Sequence, residues 1–297
     1  MRIGSQAHKE LFCRTFFEGH RTYEPADLPW PDLDDDALAL LRSLPFWTHA
    51  RQFESDAGPM IRAVAKVEPD PMIREALELQ ASEEERHARL VNFMIDLYGL
   101  AAEETEIAVP SDPIAEFIHF GFEECLDSFG GFGFFKIARD TEFLPDPLFE
   151  VFDNVMREES HHIVFFVNWF AHRESNRGRV ARLLRIPRSL VHYGRALRQI
   201  KELLADDDAE EGADFLVRGA EAFVDHLTPQ LVLRSCLSEN ERRLATFDRR
   251  LLVPSLIPRL AALGAAALSP VPERWFAGRA PTGDAASASE RSTPRAA

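Results

Sequence analysis

Cysteine is scarce: three residues in 297, Cys13, Cys125 and Cys236, all far apart. No Cys-x-x-Cys occurs, which excludes a zinc knuckle and a rubredoxin-type iron site. Isolated thiols suit a reducing compartment. Positive charge is also short. Lys and Arg total 34 against 49 Asp and Glu, a net charge of −15, which argues against a nucleic-acid partner. No charge-free apolar run is long enough to span a bilayer, so no transmembrane segment is expected. The opening MRIGSQAHKELF has neither an apolar h-region nor a small-residue cleavage site. No signal peptide and a cytoplasmic location are therefore expected. Glycine is ordinary at 15 residues, and no period suggests repeats.

What is present is apolar and aromatic: 45% hydrophobic residues and 23 phenylalanines, enough for one large core or a core with an appendage. Residues 1–36 read as an N-terminal arm whose end, EPADLPWPDLDDD, breaks regular structure and leads into a helix with Asp34 to Asp36 at its N-terminus. Residues 37–174 carry four long helical patterns. The first covers about 46–67 and ends where Pro69 and Pro71 force a break. The second covers about 71–98, with Gly99 as its stop. The third opens at SDPIAEF and runs to about Arg139; the fourth opens at PDPLFE and runs to about Arg173. Residues 175–268 form a further helical region broken by Pro229, Pro254 and Pro258, with an acidic loop at 206–211. Residues 269–297, rich in Pro, Ala, Ser, Arg and Gly, are expected to be a mostly disordered tail.

The chemistry-bearing residues lie on the four long patterns. In chain order they are Glu54, then Glu84 with His87, then Glu124, then Glu159 with His162, and the glutamates are 30, 40 and 35 residues apart. A lone Glu from each of two helices and Glu-x-x-His from each of the other two is the ligand order of a four-helix di-metal carboxylate site. Residues i and i+3 share a helix face, so each Glu-x-x-His can present both side chains together. Each candidate lies on an apolar stripe: Glu54 with Trp47, Ala50, Ala57 and Ile61; Glu84 and His87 with Ile73, Leu77, Val91 and Met94; Glu159 and His162 with Phe152, Val155 and Phe166. Four carboxylates facing a core repel one another unless cations are present. Four carboxylates and two imidazoles form a hard donor set with some nitrogen character, suited to iron or manganese. Two alternatives stand beside this set. Glu123 competes with Glu124, and Glu158 with His161 competes with Glu159 and His162. The stripe of Phe117, Gly121 and Ser128 favours Glu124, whereas Glu116, His119, Glu123 and Asp127 read as a solvated face.

The string EEERH at 83–87 resembles the (Asp/Glu)-Glu-x-Arg-His motif of ferritin-like di-iron proteins, among them the acyl-carrier-protein desaturases and rubrerythrins. EESHH at 158–162 is similar to a second copy, with His161 in place of the arginine. The resemblance covers the bundle, about half of the chain. It implies an all-α, ferritin-like four-helix bundle with an N-terminal arm and additional C-terminal helices, holding two iron ions or an iron–manganese pair. It implies Glu83 and Glu158 as partners of the opposite histidines. Two departures are visible. Val155 stands where the N-oxygenase branch carries a seventh ligand, a histidine. The link between the second and third helices is also only about a dozen residues, where a ferritin cage subunit places a long crossover, so this chain differs or crosses over compactly.

The expectation that follows is an O2-activating di-iron oxidoreductase acting on a small apolar organic substrate, with an external electron donor and a homodimer as a compatible state. The alternatives are a ferroxidase or peroxide scavenger, and a non-enzymatic helical module stabilised by metal. SFGGFGFF at 128–135 reads equally as an apolar channel or as close helix packing, since glycines in a helix call for a reason. The arginine-rich 173–201 stretch is expected to pair with the chain's own acid, and the apolar run at 256–268 to pack internally. Cys125 reads as a small core residue, and His49, His119 and His226 as ordinary histidines.

Overall fold

The computed structural model describes residues 1–44, 47–103, 106–107, 110–142, 144–178, 187–195, 198 and 227–270. The acidic 206–211 segment, His226 and nearly all of the proposed tail lie outside these residues. Among the described residues every regular element is helical. Four long helices form the centre: α3 (Trp47–Val67), α4 (Pro71–Tyr98), α5 (Pro113–Asp140) and α6 (Asp146–Asn176). Before them come α1 (Gln6–Gly19), a 3-10 turn at Pro25–Asp27, and α2 (Asp35–Ser43). After them come α7 (Pro229–Leu244) and α8 (Leu256–Leu268). No helix among the described residues is long and apolar enough to cross a membrane.

Local chemistry accounts for the helix ends. Asp70 caps α4 by accepting from the Met72 and Ile73 amides, Pro71 fills the first position, and Gly99 closes the helix at φ +61°. Asp112 with Pro113 repeats this start for α5, and Asp34 caps α2 by accepting from the Ala37 amide at 2.8 Å. Pro229 and Pro258 do not interrupt helices. Each sits in a helix's first turn, where a missing amide costs little. The N-terminal arm contains a helix of its own, α1, which packs on α6 and α4. Lys9 pairs with Asp70, and the buried His8 meets Asn168 at 3.0 Å. Asn168 also bonds the Leu252 amide and carbonyl, so one buried side chain ties α1, α6 and the α7–α8 connection together.

The order of packing reveals the topology. α3 packs on α4, α5 on α6, α3 on α5 and α4 on α6. Met94 and Tyr98 near the end of α4 share a cluster with Phe135 near the end of α5 and with Leu148 and Phe149 at the start of α6. α4 and α5 therefore run parallel, and α6 runs antiparallel to α4. The chain must return the length of α4 between them. Residues 99–112 can reach about 46 Å when extended, against about 42 Å for a helix as long as α4. The connection runs beside α3: the Glu103 amide donates to Thr48 at 3.1 Å, and the Gln52 side chain donates to the Glu106 carbonyl at 3.0 Å. At its described residues Glu103 and Glu106, the crossover therefore follows α3.

The glycine-rich face of α5 is covered by α7. A Cβ on Gly133 would lie 2.2 Å from Cys236 Sγ and 2.8 Å from Cys236 backbone atoms, while a Cβ on Gly131 meets nothing within 4 Å. Gly133 therefore serves close helix packing. Arg243 of α7 lies 5.2 Å over the Phe132 ring and pairs with Asp153 of α6 at 2.6 Å. Of the arginine-rich stretch, Arg177 and Arg188 pair with the buried Glu174. In chemical denaturation, Gly133→Ala is expected to lose about 1–3 kcal/mol through overpacking. Gly131→Ala is expected to gain about 0.5–1 kcal/mol through helix entropy. Equal effects at the two positions would contradict the α5–α7 contact.

Candidate metal centre

Each of the four long helices sends one face to a common point at mid-length. The His87 and His162 rings lie 5.7 Å apart between centroids. His87 Nδ1 is 3.6 Å from Glu54, 3.5 Å from Glu84 Oε2 and 3.2 Å from Glu159 Oε1. His162 Nδ1 is 3.0 Å from Glu84 Oε1, 3.4 Å from Glu124 and 3.7 Å from Glu159 Oε2. Glu84 and Glu159 thus offer one oxygen to each histidine's side and span the cluster. Glu54 serves only the His87 side and Glu124 only the His162 side. Glu54, Glu84, His87 and Glu159 offer ligand atoms within 4.8 Å of one another, as do Glu84, Glu124 and His162.

The six sequence candidates are therefore brought together, and the two alternatives are not. Glu123 pairs with His119 at 3.5 Å on a partly exposed face. His161 turns away: its Nδ1 lies 2.9 Å from the Arg157 carbonyl and its ring packs on Phe247. Burial and the neighbouring His162 push His161 down to about 4, so it is neutral and cannot imitate an arginine. Val155 is a core residue. Cys125 is buried, and burial raises its thiol.

Behind the histidines lie two more buried carboxylates. Glu158 faces His87 Nε2 at 2.8 Å, and Glu83 faces His162 Nε2 at 2.9 Å. Each histidine can therefore donate its Nε2 proton outward, which leaves Nδ1 as the lone-pair donor facing the cluster. Arg86 donates to Glu158 at 2.6 Å, and the Tyr23 hydroxyl donates to the same carboxylate at 3.0 Å. His20 Nδ1 lies 2.6 Å from Glu83. Phe16 stands 5.9 Å from the His162 ring. These arm residues were not recognised in the sequence. No helical phase links them to the motifs, and the one available signal is the donor missing at His161.

The inner atoms are poorly satisfied. Glu54 Oε2, Glu84 Oε1, Glu124 Oε2 and both histidine Nδ1 atoms are buried without a hydrogen-bond partner among the described residues. Orphaned groups of this kind are costly, and here they converge. The donor set fits one or two hard divalent cations held through carboxylates and imidazoles. No family model matches the chain, and no curated protein or solved structure matches it.

Without a cation the cluster holds protons instead. Burial pushes Glu54 up to about 7 and raises Glu124 well above the ordinary carboxylate range. Burial disfavours charged His87 and His162, but the surrounding glutamates outweigh it and raise both well above the ordinary imidazole value. Burial likewise opposes ionised Glu84 and Glu159, but the histidines outweigh it and lower both. The raised groups keep protons that the unfolded chain has released, so their contribution to stability is lost as pH rises. The lowered pair contributes fully above the ordinary carboxylate range and is lost only in acid. His161, held down to about 4, works in the opposite direction up to the ordinary imidazole value, so the melting temperature of the metal-free protein is expected to fall above about pH 6.5. Added divalent cation should stabilise more as pH rises, because ligands must shed protons to bind it. Thermal melts across pH, with and without Mn(II), measure this. A metal-free melting temperature that climbs with pH in that range would contradict the proton-filled cluster.

Proposed function

We propose that this chain is a ferritin-like di-metal carboxylate protein that reacts with O2. The observation that carries the reading is the pair of inward Nδ1 atoms, bracketed by two spanning glutamates and flanked by one further glutamate each. His87 with Glu54 would hold one ion, His162 with Glu124 the other, and Glu84 and Glu159 would span both. A pair of iron ions, or iron with manganese, would supply the electrons that O2 requires. The chain's own residues orient the ligands and exclude water. Glu83 and Glu158 hold the outer N–H groups of the histidines, and Phe16 packs beside the His162 ring.

The ligands are unequally exposed. Glu54 and Glu159 keep side-chain exposures of 16% and 14%, while Glu84, Glu124 and both histidines keep 2% or less. A small molecule would approach on that side. Phe53 and Phe120 stack at 5.3 Å, each within four residues of a flanking glutamate, and favour an apolar organic substrate over iron as the species oxidised. An external donor would return the electrons.

Two metal ions per chain are expected by plasma mass spectrometry after anaerobic reconstitution with Fe(II). Glu84→Ala/His87→Ala should remove at least one. The reduced, loaded protein should consume O2 in stopped flow far faster than free Fe(II) under the same conditions. Failure to retain metal would refute the site, and two ions with no O2 reaction would refute the activity.

A further inference from the structure

The two histidine ligands are held by unequal devices, and the N-terminal arm supplies part of each. Glu158, behind His87, receives the Arg86 guanidinium at 2.6 Å and the Tyr23 hydroxyl at 3.0 Å. The Arg86 guanidinium also lies 4.2 Å over the Tyr23 ring, which fixes it from its other side. Arg86 is buried in the middle of α4, and its charge is permanent. Glu83, behind His162, has no such anchor. Arg86 reaches it only at 3.9 Å. Its close partner besides His162 is His20, one residue beyond α1, whose side chain is 27% exposed. His161, at the position where the motif's second arginine would stand, points elsewhere.

We infer that the two metal positions differ in affinity, and that the arm residue His20 sets the weaker one by positioning Glu83 behind His162. This rests on the di-metal reading above. A carboxylate behind a ligating histidine fixes the ring and raises its basicity, and loss of such support typically costs about 10–100-fold in metal affinity. On the His87 side, Glu158 keeps Arg86 if Tyr23 is lost. On the His162 side, Glu83 keeps no close donor besides His162 among the described residues if His20 is lost. The inner ligands do not create the difference, since three carboxylates face each Nδ1, at 3.2–3.6 Å around His87 and 3.0–3.7 Å around His162. His20 is a positioning residue: it touches neither the ligand atoms nor the space between them. The arm also brings Gly19 against His161, where a Cβ would lie 2.2 Å from the ring, so its path past the cluster is sterically defined.

The test is anaerobic Co(II) titration of the full chain, followed by ligand-field absorption and by bound-metal content. The unaltered protein should bind two equivalents in separable steps. Glu124→Ala should abolish the weaker step and Glu54→Ala should impair the tighter one. His20→Ala should weaken the second step about 10–100-fold and move the first by less than about threefold. It should lower the melting temperature of the metal-free protein by about a few degrees only, because the buried Glu83 loses one close partner and keeps His162. His20→Gln, which retains an N–H donor for Glu83, should recover most of the loss, and Tyr23→Phe should spare the second step. Equal weakening of both steps by His20→Ala, or no weakening, would overturn the inference while leaving the di-metal reading intact. So would a large drop in metal-free melting temperature that His20→Gln does not repair. Failure of the unaltered protein to bind Co(II) at all would overturn both.

Discussion

Four carboxylates crowded against two imidazoles at the centre of four helices form the constraint on which the rest of the structure depends. Glu84, Glu124, His87 and His162 are 2% exposed or less. Burying such groups without compensation is among the most costly things a protein can do. The fold compensates in layers. The inner atoms face one another across a space that a cation or a proton can fill. The outer histidine nitrogens are met by Glu83 and Glu158. Those carboxylates are met in turn by Arg86, Tyr23 and His20. Around these groups lies the apolar core, with Phe16, Phe117 and Phe166 among its members. Removing one layer leaves the next one inward unsatisfied, so the polar centre and the helical packing are one cooperative object.

Much of this was legible in the chain because helices report their own phase. Glu-x-x-His at 84–87 and 159–162 places both side chains on one face whatever the tertiary structure, and the apolar stripes show which face is inward. Capping chemistry at Asp70 with Pro71, at Gly99, and at Asp112 with Pro113 made several helix ends readable to within a residue or two. What was not legible depends on contacts between segments distant in sequence. Glu84 and Glu159 as the spanning carboxylates follow from how α4 and α6 face each other, which no periodicity encodes. His20 and Tyr23 lie outside any helix, so nothing in their local pattern points at Glu83 or Glu158. The glycines of α5 were ambiguous for the same reason. Gly133 has its purpose in Cys236, about a hundred residues away, and Gly131 faces open space.

The α7–α8 region and the N-terminal arm approach the centre from outside the four long helices and play different parts. α7 acts on α5 through close backbone approach and through Arg243. It packs on the helix that carries Glu124 without supplying a described polar group to the cluster. The arm threads between α6 and α4 and delivers donors directly to the supporting carboxylates. Both are tied to α6 by the single buried amide of Asn168, which bonds His8 on one side and Leu252 on the other. The additions are thus mechanically linked to the helix that holds Glu159 and His162.

The exchange of carboxylates behind the histidines also explains the topology. Glu83 immediately precedes Glu84 on α4 yet serves His162 on α6, and Glu158 immediately precedes Glu159 on α6 yet serves His87 on α4. In each helix the supporting carboxylate lies four residues before its own histidine. A reciprocal exchange at that offset is met when the helices run antiparallel, so that a step toward the start of one is a step toward the end of the other. In a parallel pair the two offsets would add, and with one exchange made the other carboxylate would fall about 12 Å short along the axis. α5 and α6 form a sequential antiparallel pair, so an antiparallel α4 and α6 require α4 and α5 to be parallel. That in turn requires a connection that travels the full length of the bundle. A tight turn after Tyr98 would be shorter, and its loop closure would cost less entropy, but it would reverse α6 and break both exchanges. The connection along α3 is therefore the topological consequence of how two buried histidines are held.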